Sequence, residues 1–140
     1  MIKICFVCTG NTCRSVMAEA LTKKLLKEQN IEDVKVSSRG LYANGGQVTS
    51  ETKRALKKMG VSLRSRKSVK LNKTDKKTIY VALTDAHKQM IKSDKVISFS
   101  SLIGQDVPDP YGGDDMVYEK VSLMINDGVK KLVELIKKWR

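Results

Sequence analysis

The sequence predicts a single α/β domain, a parallel sheet with helices on both of its faces. Short apolar or alternating runs of five or six residues recur along the chain, separated by stretches of helical periodicity. At 140 residues the chain is long enough for one hydrophobic core and too short for two ordinary ones. No internal repeat and no linker-like segment divides it. Strands that alternate with helices are joined by crossovers, which make the strands parallel and cover the sheet twice.

The elements follow in order. "IKICFV" (2–7) reads as a short buried strand. From Ser15 the period becomes helical, with Met17, Leu21 and Leu25 four apart and Ala18, Ala20 and Leu26 beside them. "DVKVS" (33–37) alternates as a second strand. Thr49 is placed to cap a helix whose apolar positions include Ala55, Leu56 and Met59, and Gly60 stops it. "TIYVAL" (78–83) and "KVISF" (95–99) read as strands flanking a short helix at 85–92. A long helix from about Met116 places Val117, Val121, Met124, Val129, Leu132 and Ile136 on one side, with basic residues at its C-terminal end.

Composition narrows the function classes. Lys and Arg number 27 against 15 Asp and Glu, a formal charge of +12, which favours an anionic partner. Nucleic acid is disfavoured: 21 of the 27 cations are lysines, aromatics are only 5%, and no zinc-finger or RNA-binding motif accompanies the charge. The apolar runs are too short to span a membrane. Met1 leads straight into the first strand without a secretory pattern, so the expected location is the cytoplasm. All three cysteines, Cys5, Cys8 and Cys13, lie within nine positions, which suits catalysis or metal binding better than a disulfide scaffold.

The first strand runs into "CTGNTCRS" (8–15), a loop that opens a helix at the carboxyl end of a strand, where α/β sheets bind ligands. Zinc lacks a four-ligand set: Cys5 belongs to the strand and the single histidine, His87, is far away in sequence. Cys5-x-x-Cys8 lies within the strand, whereas a redox pair normally opens a helix. No Walker phosphate loop is present. The remaining pattern is Cys-x5-Arg followed by Ser. Gly10 and Asn11 tolerate left-handed backbone, so the amides of Thr9 to Ser15 can turn inward as an anion nest, aided by the helix dipole. Arg14 can grip two oxygens of a phosphate, and a field of that sign favours the Cys8 thiolate as nucleophile. Ser15 can donate a hydrogen bond to its sulfur.

Cleavage of a phosphoryl group by cysteine also needs a general acid. In "VPDPYGGDD" (107–115), Asp109 precedes the stiffening Pro110, and Tyr111 follows as a possible pocket wall. The competing reading is an acidic turn whose Asp114 or Asp115 caps the long helix.

Together, "VCTGNTCRS", a central "SSRG" and a late "DPYGG" resemble the low-molecular-weight protein-tyrosine-phosphatase family over essentially the whole chain. The resemblance implies a four-stranded parallel sheet with helices on both faces, no metal and no cofactor. It makes Cys8 the nucleophile, Arg14 the phosphate clamp and Asp109 the general acid, with Asn11, Ser15 and Ser38 as the frame that supports the loop. Hydrolysis would run in two displacements through a cysteinyl phosphate. The partners implied are phosphorylated proteins or peptides and inorganic oxyanions. Val16 departs from the family's usual Pro, in the first helical turn where Pro helps but is not required. A related arsenate reductase branch needs further downstream cysteines, and none follows Cys13.

Thr12 bears on the substrate. Members acting on phosphotyrosine tend to carry an aliphatic residue there, whereas those resembling bacterial protein-arginine phosphatases carry Thr. "DPYGG" and "AHKQMI" (86–91) are also similar to that branch. Phosphoarginine is therefore the expected substrate, with Thr12 and Tyr111 in its pocket, and phosphotyrosine is the alternative. A phosphate-dependent binding module without turnover is a third reading, disfavoured because binding alone needs neither Cys8 nor Asp109. Cys8 and Cys13 share one loop, which also suggests a protective disulfide under peroxide.

Overall fold

A computed structural model describes residues 1–140. Four strands, β1 (Ile2–Cys8), β2 (Val34–Gly40), β3 (Thr78–Ala82) and β4 (Val96–Ser98), form one sheet in the order β2-β1-β3-β4. All three pairings are parallel, with Ile4 opposite both Val36 and Ile79. The chain goes from β1 to one side and then crosses to the other. Strand order therefore reverses at β1, and the loop after β1 stands at the switch point where such sheets hold ligands.

Alternation along β1 sorts its side chains between two cores. Ile4, Phe6 and Cys8 join the larger, filled by α1 (Arg14–Glu28), α2 (Ser50–Lys58), α4 (Phe99–Ile103) and α5 (Asp115–Trp139). Cys5 and Val7 join a smaller one with Tyr80, Ala82 and Ile91, the last at the end of α3 (Asp85–Met90). Cys5 and Cys8 thus lie on opposite faces of the sheet, and burial pushes the Cys5 thiol up. They form no redox pair.

Helix starts follow their caps. The hydroxyls of Thr49 and Thr84 accept the N–H groups of Thr52 and His87, and the Asp114 carboxylate accepts that of Val117. Gly60, just past α2, has a φ of +83°, the left-handed stop expected of it.

The structure differs from the sequence expectations at several points. β2 runs on to Gly40, α3 ends at Met90, and α4 follows β4 without a signal strong enough to separate the two. In α5 Val117 is exposed and Met124 half-buried, while Tyr118, Ile125 and Val133 take the core positions. Gly128 lies where a Cβ would come within 2.3 Å of the Phe99 ring, so the missing side chain lets α5 approach α4 there. No helix is long and apolar enough to cross a membrane.

Candidate active site

The loop after β1 is folded around the Cys8 sulfur. Asn11 carries the left-handed turn, with a φ of +56°, and its amide N–H lies 3.3 Å from Cys8 Sγ. Gly10 has no positive φ, so the turn rests on Asn11 alone and not on both residues. The glycine that the loop requires is Gly40, at the end of β2. A Cβ there would stand 2.8 Å from the Thr9 carbonyl oxygen and 2.9 Å from the Asn11 nitrogen. The neighbouring strand can approach the loop only because that side chain is missing, and Leu41 and Tyr42 then donate their N–H groups to the carbonyls of Cys8 and Thr9.

Beneath the loop lies a closed polar network. The Asn11 side-chain amide donates to Ser15 Oγ at 2.7 Å and to Ser38 Oγ at 2.9 Å, and its oxygen accepts the Val69 N–H. Ser15 Oγ is 2.9 Å from Cys8 Sγ. Ser15 accepts from Asn11, and its own proton is free to be donated to the sulfur. Ser38 donates to Glu19, whose carboxylate also takes hydrogen bonds from Lys23 and Arg66. Burial alone raises the Glu19 pKa. The bonds from Lys23 and Ser38, with the Arg66 charge, outweigh it and hold the carboxyl below its ordinary value.

Arg14 opens α1 and returns to the mouth of the loop, as its position predicts. Its side chain is only 7% exposed, and the guanidinium donates to the Val107 carbonyl at 3.0 Å and to Thr9 Oγ1 at 3.4 Å and lies 3.7 Å from the Asp109 carboxylate. Asp109 itself is 56% exposed and accepts the Tyr111 N–H. These residues line a cleft of about 450 Å³, with Thr12 at its rim and the exposed rings of Tyr42 and Tyr111 above it. Cys13 caps no amide with its side chain. It is buried below the loop, 3.4 Å from the Tyr118 hydroxyl, and both Cys8 and Cys13 are free thiols. Beside that sulfur, burial pushes the Tyr118 pKa up.

The structure brings together Cys8, Thr9, Gly10, Asn11, Thr12, Cys13, Arg14, Asp109 and Tyr111 in one cleft, with Ser15 and Ser38 beneath it. Sequence reasoning missed Glu19, Gly40, Tyr42, Arg66 and His87. His87 was set aside as remote in sequence, yet its Nε2 is 2.8 Å from Thr9 Oγ1. The chance to find it lay in "AHKQMI" itself, where the only histidine of the chain stands in the first turn of the helix that follows β3.

The cleft can seat a tetrahedral oxyanion against the Cys8 sulfur and beside the buried Arg14 side chain. The family sequence model described as "Low molecular weight phosphotyrosine protein phosphatase" matches residues 3–140. A Staphylococcus aureus protein named low molecular weight protein-tyrosine-phosphatase PtpA is 35% identical, over 99% of this chain and 96% of its own length. The solved structure of the YwlE arginine phosphatase from Geobacillus stearothermophilus superposes with a TM-score of 0.85, at 32% identity, over 99% of this chain and 94% of that one. A mutant of YwlE arginine phosphatase with a phosphorylated active-site serine gives a TM-score of 0.87, at 32% identity, over 99% and 98%.

Proposed function

The chain belongs to the low molecular weight phosphotyrosine protein phosphatase family, a cysteine-dependent phosphatase acting on phosphorylated proteins, and on that premise we propose residue roles and a preferred substrate. The carrying observation is the floor of the cleft, where Cys8 Sγ receives the Asn11 N–H and the Ser15 hydroxyl beside a buried Arg14. Those donors face the sulfur that bonds to phosphorus in the first step and leaves it in the second. Cys8 attacks phosphorus in line, the phosphorus–leaving-group bond breaks, and Asp109 gives its proton to the departing atom. Asp109, now a base, takes a proton from water, which attacks the cysteinyl phosphate and releases phosphate and the thiolate. Inward amides and Arg14 hold the equatorial oxygens through both steps. The relative with a phosphorylated active-site serine supports a phosphoryl intermediate at the position equivalent to Cys8.

The preferred substrate is protein phosphoarginine, and Thr12 is the reason. A phosphotyrosine ring needs apolar surface at the rim, whereas a guanidinium needs acceptors for N–H groups that lose water. Thr12 lines the cleft half-buried and offers a hydroxyl. Resemblance to a named arginine phosphatase favours this reading, while the similarly close Staphylococcus aureus relative, named for tyrosine, supports phosphotyrosine as the alternative. The test is turnover of matched phosphoarginine and phosphotyrosine peptides by wild type and Thr12→Ile. One hydrogen bond contributes roughly 0.5–3 kcal/mol, so the ratio of the two specificity constants is expected to fall about two-fold to a hundredfold in the variant. An unchanged ratio makes Thr12 a bystander, and faster phosphotyrosine turnover in wild type selects the alternative.

A further inference from the structure

We propose that His87 is a positioning residue that turns the Thr9 hydroxyl into a donor for the bound phosphoryl group. The inference rests on the reading of the cleft as a phosphatase site, but none of the roles assigned above involves His87.

His87 lies on α3, where the Thr84 hydroxyl accepts its backbone N–H at 3.1 Å and fixes the start of the helix. Its ring is buried against the back of the loop, with Nε2 2.8 Å from Thr9 Oγ1 and Nδ1 buried without any partner. The hydrogen-bond network decides the tautomer. A proton on Nδ1 would leave a buried N–H unsatisfied, which is rare and costly in folded proteins, whereas an unpaired lone pair there costs less. The proton therefore sits on Nε2 and is donated to Thr9 Oγ1. Arg14 Nη2 donates to the same oxygen at 3.4 Å. Both acceptor positions of the Thr9 hydroxyl are then filled, and its own proton has no partner within the protein. Thr9 lines the cleft, so that proton is directed to the space an oxyanion occupies. Burial, followed by the nearby Arg14 charge, holds the His87 pKa down to about 4, which keeps the ring a neutral single donor at physiological pH.

The consequence is a linked pair. Without His87 one acceptor position of the Thr9 hydroxyl is open, the hydroxyl is no longer held in one orientation, and its donation to phosphate weakens. Vanadate inhibition and p-nitrophenyl phosphate turnover are measured for Thr9→Val, Thr9→Ser, His87→Phe, His87→Gln and the Thr9→Val/His87→Phe double variant. Thr9→Val and His87→Phe are each expected to weaken vanadate about 2- to 12-fold, the effect of one ordinary hydrogen bond. The double variant should be no weaker than Thr9→Val alone, and His87→Gln, which keeps a donor, should recover part of the loss. Multiplying losses in the double variant would overturn the linkage. If His87→Phe does not fold, Thr9→Ser against Thr9→Val decides, since equal vanadate affinity means the hydroxyl donates nothing. Failure of the phosphatase reading is distinct: it appears as absent turnover in wild type, whatever the vanadate pattern.

Discussion

The two sides of the cleft are built differently. On the floor, Asn11, Ser15 and Ser38 are 1%, 0% and 0% exposed, tied through Glu19 and Arg66 into a network beneath the loop. On the opposite side, Asp109 is 56% exposed and is held by one local backbone hydrogen bond and a 3.7 Å approach to Arg14. Folding of the core fixes the surroundings of Cys8, the proposed nucleophile, before substrate arrives. Asp109, the proposed acid, depends on a short turn stiffened by Pro110. Substitutions in the frame of the floor should therefore change stability and chemistry together, and those at the acid should change chemistry alone.

Cys8→Ser gives the largest expected effect. A serine hydroxyl in this loop has no partner base, so kcat should fall by at least about 10⁴-fold while vanadate still binds. Appreciable steady-state turnover would remove Cys8 from the mechanism. Asp109→Asn comes next, with a loss of about 10²- to 10⁴-fold on poor leaving groups and a smaller one on p-nitrophenyl phosphate. Its thermal unfolding midpoint should match wild type. A uniform loss across leaving groups, or a lowered midpoint, would break the contrast between the two sides; in the first case Asp106, Asp114 and Asp115 become the candidates for the acid.

Gly40→Ala tests the floor without touching any group assigned to the chemistry. The added methyl meets backbone atoms at 2.8–2.9 Å, and backbone cannot yield as a flexible side chain would. Overpacking of this kind costs about 3 kcal/mol, and the displaced Thr9–Asn11 backbone should also weaken phosphate and vanadate binding. Lost stability with unchanged vanadate affinity would show that the loop holds its shape without β2.

Gly40 also marks how far the sequence could be read. Strand, loop and helix around Cys8 were legible because the nucleophile, the nest and Arg14 lie within eight consecutive residues and obey local rules. Asp109 was legible as a candidate because Asp-Pro sets a turn. Glu19, Arg66 and His87 were not, since Glu19 on α1, Arg66 in the segment between α2 and β3, and His87 on α3 meet around the loop only through tertiary packing. Residue type allows a left-handed turn at Gly10 or at Asn11; the turn stands at Asn11, whose side chain is tied to Ser15 and Ser38. Ser38 entered through resemblance, and the structure supplies its physical role: it relays the Asn11 amide to the Glu19 carboxylate.

The smallest expected effect is on stability against pH, and it belongs to the floor through His87. An unfolded histidine titrates near its ordinary value of 6.5, whereas the buried ring titrates at about 4. Between those values the unfolded chain binds a proton that the folded chain does not. Stability therefore rises with pH across this window, is complete above it, and declines as pH falls from 6.5 toward 4. With the ring only 6% exposed, the change should be on the order of 1–3 kcal/mol, up to the ceiling the full shift allows. Glu19 adds a second loss of the same sign, but its carboxyl lies below its ordinary value of 4.5, so that loss begins where the His87 window ends. Urea unfolding from pH 7.5 to 4.0 separates the two. His87→Gln should flatten the curve above about pH 4.5 and leave the steeper fall below it. An unchanged slope in the variant would mean that the folded ring takes up a proton as readily as the unfolded one, and that Arg14 and burial do not hold it neutral.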